Sequence, residues 1–287
     1  MYLNSKISSR ITSQVLSGGE VKNQLMTHNI MTDYGLQAWA QGSLGSHLAL
    51  GSGSRAEVGN ITSLAAHVRT TSGVYSHSKS NWIDYVAGVM RSNHTLNVTY
   101  PIETVNRNYS EIGIHNNNVN QLQTYALLSD STGQTTSQTV LAGEQLRVYY
   151  TVQFAIPLLH SEVKMINGVS TTVSTVPLYT GSDVLARLPR TSTNYLWAAG
   201  QPVPTAGTVP SGGVGAPTAS RSGNTSTIAL NDTQGNLTGG ISMVRAGDNS
   251  NNIGLLIHFD PPIQKTSAHS AKFITAAVLS NGDFHES

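Results

Sequence analysis

Two carboxylates come nearest to an acid–base pair in this sequence. Glu103 and Glu111 fall on neighbouring predicted strands, where they could face each other. A glycan hydrolase would need two such groups about 5–10 Å apart, and the spacing alone does not bring them there. The stretch Gly51-Ser52-Gly53-Ser54-Arg55-Ala56 matches a relaxed dinucleotide-binding pattern. That pattern works only when a helix receives the pyrophosphate and an acid about 20 residues on holds the ribose. Neither follows here, so the stretch reads as a glycine turn. Asp248 to Asn252 places oxygen-bearing side chains at alternating positions, as a calcium loop does, but its glycine is one place late and no glutamate closes it. An Asx-rich turn accounts for it. The ten histidines form no HExxH pair, and no GxSxG elbow exists. Sequons such as Asn60-Ile61-Thr62 and Asn93-His94-Thr95 are what the high Asn, Ser and Thr content makes by chance. Tyr75, Trp82, Tyr85, Tyr109 and Trp197 could stack on sugars, or serve as core and interface anchors. The residues themselves therefore assign no catalytic, cofactor-binding or metal site, and no cofactor.

The composition points the same way. Of 287 residues 11% are charged, against roughly 25% in an ordinary soluble protein. The net charge of +1 supplies no field for nucleic acid or an acidic membrane, so neither is expected as a partner. Ser, Thr, Asn, Gln and Gly must cover the surface, as suits sheets and turns and also a surface covered by neighbouring subunits. There is no cysteine, which excludes disulfides and thiolate metal sites. The first residues lack the apolar run of a secretory signal, and no stretch reaches the ~18–20 apolar residues of a membrane helix. A protein made without export is the expectation.

The elements that must position these residues follow from hydrophobic period. In Gln145–Leu159 every second residue is apolar: Leu146, Val148, Tyr150, Val152, Phe154 and Ile156. A period of two predicts a strand with one buried face. Each such side chain contributes roughly 1.5–3 kcal/mol when buried, so six together fix the register. Further strands are predicted at His47–Leu50, Val74–His77, Trp82–Arg91, Thr95–Ile102, Tyr109–His115, Leu122–Ser129, Asn252–Asp260 and Ala271–Leu279, with Pro261-Pro262 stopping the penultimate one. One short helix is expected within His28–Gly42, capped by Thr32 or Asp33, with Leu36, Trp39 and Ala40 on its inner side and Gly42 at its end. Ile7, Ile11 and Val15 would suit a helical stripe, but Gly18-Gly19 interrupts it, leaving an arm or a first strand. The fold class is all-β, an antiparallel jelly-roll-like β-sandwich. Its divisions are an N-terminal arm (1–27), a sandwich core (28–160), a loop-rich insertion or small β subdomain (161–240) and C-terminal strands completing the sandwich (241–287).

Several of these segments resemble a known group. Asn29–Ala40, NIMTDYGLQAWA, looks like the N-x-(I/V)-T-x-x-G-L start of tail and fibre-associated proteins of tailed bacteriophages. In that group a GxGS stretch follows soon after, as Gly51–Ser54 does here. Tyr109-Ser110-Glu111-Ile112-Gly113-Ile114 resembles their SEIGL strand, Leu146–Pro157 their L-x-V-x-Y strand, and Phe259–Thr266 their closing segment. The likeness spans about 28–160 and about the last 35 residues, and leaves out 161–240. It implies a non-enzymatic virion structural protein with a β-sandwich core, of the tail, collar or fibre-attachment region, assembled as a ring or trimer with other virion proteins in the host cytoplasm. On that view Glu111 is structural, accepting backbone or subunit hydrogen bonds. The alternatives are a receptor- or carbohydrate-binding module of a tail fibre with a host glycan as partner, and a capsid decoration protein.

Overall fold

The computed structural model describes residues 2–40, 43, 45–76, 81–84, 86–178, 193–206, 208, 210–217, 220–222, 225–248 and 253–285. Among these the fold is all-β with one short helix. The strand Gln145–Pro157 lies inside a nine-stranded sheet, and all six of its alternating apolar side chains are buried. Val89–Thr99 pairs with it on one side and Tyr2–Ser17 on the other, both antiparallel. Residues 2–17 are thus a central strand and not an arm. Ile7, Ile11 and Val15 pair with Phe154, Tyr150 and Leu146 and share their buried face. Gly18 and Gly19, both at positive φ, form the two-residue turn that returns the chain as Glu20–His28. A two-residue hairpin turn calls for that conformation, which glycine adopts without strain. Beyond Tyr2–Ser17 the sheet continues through Ala271–Asn281, Thr225–Leu230 and Ser220–Ser222. The contact between Ala271–Asn281 and Tyr2–Ser17 is parallel, unlike the rest.

Facing this sheet is a five-stranded one, ordered Ile30–Met31, Leu122–Leu127, Glu111–His115, His47–Gly51, His67–Ser72. Leu48, Leu50, Ile112, Ile114, Ala126 and Leu128 join the buried face of the large sheet in one core. The helix Asp33–Ala40 sits at the edge of that core, where Trp39 packs on Phe154 at 5.6 Å between ring centroids. Thr32 caps it: the Gly35 N–H donates to Thr32 Oγ1 at 2.9 Å. The expected ending at Gly42 lies outside the described residues. Two predicted strands divide. Trp82–Arg91 is a hairpin, Asn81–Asp84 returning as Val89–Thr99 past Gly88 at positive φ. Tyr109–His115 splits at Ser110, Arg107–Tyr109 pairing instead with Gln138–Val140. The predicted strand Thr95–Ile102 ends at Thr99, two residues before Pro101, and leaves Ile102 61% exposed.

A six-stranded sheet is ordered His160–Ile166, Val169–Leu178, Ile253–Ile263, Ile241–Asp248, Thr193–Ala198, Val214–Ala216. Its Val173, Leu196, Ile241, Val244, Ile257 and Phe259 bury a second core against Ile228, Leu230 and Phe273 of the large sheet. Much of 161–240 is therefore built into strands that bury side chains against their own chain. The C-terminal stretch also divides differently from expectation. Ile241–Asp248 and Ile253–Ile263 belong to this second sheet, and only Ala271–Asn281 joins the large one. The strand predicted to stop at Pro261-Pro262 runs on to Ile263. Its ladder with Ile241–Asp248 jumps from Met243↔His258 to Ile241↔Ile263, and its ladder with Val169–Leu178 ends at Asp260. Neither proline is asked for the N–H it lacks.

Candidate functional site

Glu111 has no exposed surface. Its carboxylate accepts the Ala65 N–H at 3.0 and 3.2 Å, the Ala66 N–H at 3.3 Å and the Tyr125 hydroxyl at 3.1 Å. Burial, then the Glu111 charge, push the Tyr125 phenol well above its ordinary pKa, so it stays a donor. The glycine stretch makes this arrangement possible. A Cβ on Gly51 would lie 2.5 Å from Glu111 Oε2, and one on Gly53 would lie 3.0 Å from Oε1. Gly51-Ser52-Gly53 therefore makes room for a carboxylate of the same chain. A glycine turn does not reveal that partner locally, because it lies 60 residues downstream of Gly51.

Glu103 has separate partners. It sits outside the strands, is buried, and receives hydrogen bonds from Arg69, from Arg107 Nε at 3.1 Å and from the Tyr109 hydroxyl at 2.5 Å. Its backbone bonds Glu144 and Gly143 at 2.8 Å. Two guanidinium groups neutralise it, and burial together with Glu103 raises the Tyr109 pKa. Each of the two candidate acid–base residues is thus committed to its own set of donors. Ile102, Val105 and Leu141 are 61%, 51% and 46% exposed.

Histidines figure in two further places. His115 stacks on His47 at 5.4 Å, and both its ring nitrogens are buried without a hydrogen-bond partner. Burial, reinforced by His47 and His67, lowers its pKa to about 4. A cavity of about 380 Å³ is lined by Ser242, His258 and Asp260 among others. These are the residue types of a nucleophilic triad, yet their bonds run elsewhere. Ser242 Oγ donates to the carbonyls of Ala198 and Trp197, and His258 Nε2 bonds the Gln201 carbonyl at 2.9 Å. An Nε2 that donates to a carbonyl cannot accept the serine proton, so the relay of a triad is not assembled.

Of the aromatic candidates, Tyr109 and Trp197 are buried, the latter donating to the Ser211 carbonyl at 3.0 Å. The side chains of Tyr75 and Trp82, all of Tyr85, and 249–252 of the calcium-like stretch lie outside the described residues. Among the described residues no three His, Asp or Glu side chains gather as metal ligands, and no helix is long and apolar enough to cross a membrane. What the described surface does offer is apolar side chains on edges, including Val163 and Met165 on the edge strand of the six-stranded sheet. No family model, curated protein or solved structure matches the chain.

Proposed function

We propose that the protein is a non-enzymatic structural component of a tailed-phage virion, of the tail, collar or fibre-attachment region, working by joining copies of itself and neighbouring virion proteins. The observation that carries this reading is where the phage-like segments meet. Thr32 and Gly35 of NIMTDYGL dock on Leu122–Leu127, and the glycines of GxGS enclose the carboxylate of the YSEIGI strand. The segments meet through the buried Thr32 and Glu111, whose polar groups are spent on internal hydrogen bonds, as a shared architectural signature would be. Low charge and exposed apolar side chains at 102, 105, 141, 163 and 165 suit an assembly surface. The rival, a receptor- or carbohydrate-binding module, loses Tyr109 and Trp197 as stacking platforms to burial.

The test is mass spectrometry of purified particles with labelling of the chain in electron micrographs. The chain is expected in a fixed stoichiometry at a tail, collar or fibre-base position. Its absence from particles sinks the reading, and a distal fibre-tip position with glycan binding replaces it by the rival.

A further inference from the structure

The strand His160–Ile166 closes one end of the six-stranded sheet, with Val169–Leu178 on one side and no described strand on the other. Asn167 and Gly168 join the two strands, both at positive φ, with Ile166 opposite Val169. A two-residue turn of that kind holds its flanking residues as a hydrogen-bonded pair. Pairing alternates along an antiparallel ladder. The backbone groups of Lys164, Glu162 and His160 therefore point toward Val169–Leu178, and those of Met165, Val163 and Ser161 point to the edge that no described strand covers. Val163 and Met165 are also 70% and 69% exposed. Such an edge is usually blunted by unpaired charge, proline or a bulge. This one has no proline and a register without shifts, and its two charges, Glu162 and Lys164, neutralise each other at 2.8 Å.

We propose that two copies of the chain pair antiparallel along His160–Ile166, about a twofold axis at Val163, and so join two six-stranded sheets into one. The sequence selects this register. With Val163 opposite the partner's Val163, Glu162 stands opposite the partner's Lys164 and Lys164 opposite the partner's Glu162. Each charge then has an opposite neighbour both along and across the strands, and opposite charges directly across a ladder are favourable. Val163 and the partner's Val163 exchange backbone bonds, as Ser161 does with the partner's Met165, so every edge-facing group among them is satisfied. A slip of one residue sets edge-facing groups against inward-facing ones and forms no ladder. A slip of two sets Lys164 against the partner's Lys164, or Glu162 against the partner's Glu162. An isologous contact of this kind is self-complementary by symmetry.

This inference deepens the assembly reading but is tested in solution, apart from any particle. Sedimentation of the full chain is expected to show a concentration-dependent dimer. Val163→Pro removes an edge-facing N–H and leaves the hairpin's own bonds in place; it is expected to raise the dissociation constant at least tenfold. Glu162→Lys and Lys164→Glu chains are each expected to be monomeric alone and to dimerise when mixed. Mixing restores the cross-strand charge pairs but cannot restore a pair within one strand. A wild-type chain that stays monomeric, a dimer indifferent to Val163→Pro, or variants that fail to dimerise on mixing each overturn the proposal. The chain found in particles yet monomeric in solution removes this inference and leaves the assembly reading standing. A dimer from a chain absent in particles does the reverse.

Discussion

Glu111 shows how one buried side chain ties distant backbone together. It gives acceptors to two N–H groups of the segment at Ala65 and Ala66 and to the Tyr125 hydroxyl. Glu111→Ala takes the charged acceptor from the Ala65 and Ala66 N–H groups, at about 1.5–3 kcal/mol for a hydrogen bond to a charged group, while the Tyr125 hydroxyl keeps the Arg55 carbonyl at 3.2 Å. A loss of about 3 kcal/mol is expected, read as a lower urea midpoint at unchanged slope; unchanged stability would refute the structural role. His115 governs a different property. In the folded chain its pKa is about 4, against 6.5 ordinarily. Above pH 6.5 both folded and unfolded forms are neutral there, and stability is complete. As pH falls from 6.5 toward 4 the unfolded chain takes up a proton that the folded chain excludes, so stability falls, levelling off below about 4. At about 1.36 kcal/mol per pH unit the full loss is about 3 kcal/mol. Denaturation midpoints measured across that range should slope downward with acid, and His115→Phe should flatten the slope.

At the scale of elements, the helix Asp33–Ala40 is held less by its own length than by docking on Leu122–Leu127. Thr32 Oγ1 receives the Gly35 N–H and donates to the Leu122 carbonyl at 2.6 Å, and Trp39 Nε1 donates to Gln123 Oε1 at 2.6 Å. A Cβ on Gly35 would stand 1.8 Å from the Gln123 carbonyl oxygen, a backbone atom that no rotamer change can move aside. Gly35→Ala is therefore expected to destabilise the protein by about 3 kcal/mol, the upper range of overpacking. Thr32→Ala removes the cap, at about 1 kcal/mol, and also the bond to Leu122. Thermal melts of the two variants check the order: if Gly35→Ala were the milder change, the close approach of helix and strand would be refuted.

At the scale of the whole molecule, two cores are joined through shared strands. The large sheet contributes Phe273, Ile228 and Leu230 to the second core, while Leu255 of the six-stranded sheet lies in the first. The second core does not close without the large sheet's strands. Calorimetry is expected to show one cooperative transition, and Phe273→Ala, at about 3–5 kcal/mol, should lower that single transition without splitting it. Two resolved transitions would mean that the sheets unfold separately.

The sequence alone determined what depends on neighbours along the chain. Alternation from Leu146 to Ile156 gave the strand and its buried face, Thr32 or Asp33 the helix start, and the low charge a surface of small polar groups. Period also has blind spots: Ile7, Ile11 and Val15, four apart, lie on one face of a helix or of a strand equally well, and only the pairing of residues 6–16 with 145–155 decided between them. The tertiary structure likewise decided that Gly51 and Gly53 serve Glu111, that Glu103 belongs to Arg69 and Arg107, and that 253–263 builds a second sheet with 160–178. Each of these joins residues far apart in sequence through hydrogen bonds or packing. Local pattern records which face of an element is apolar, but not which distant element that face will meet.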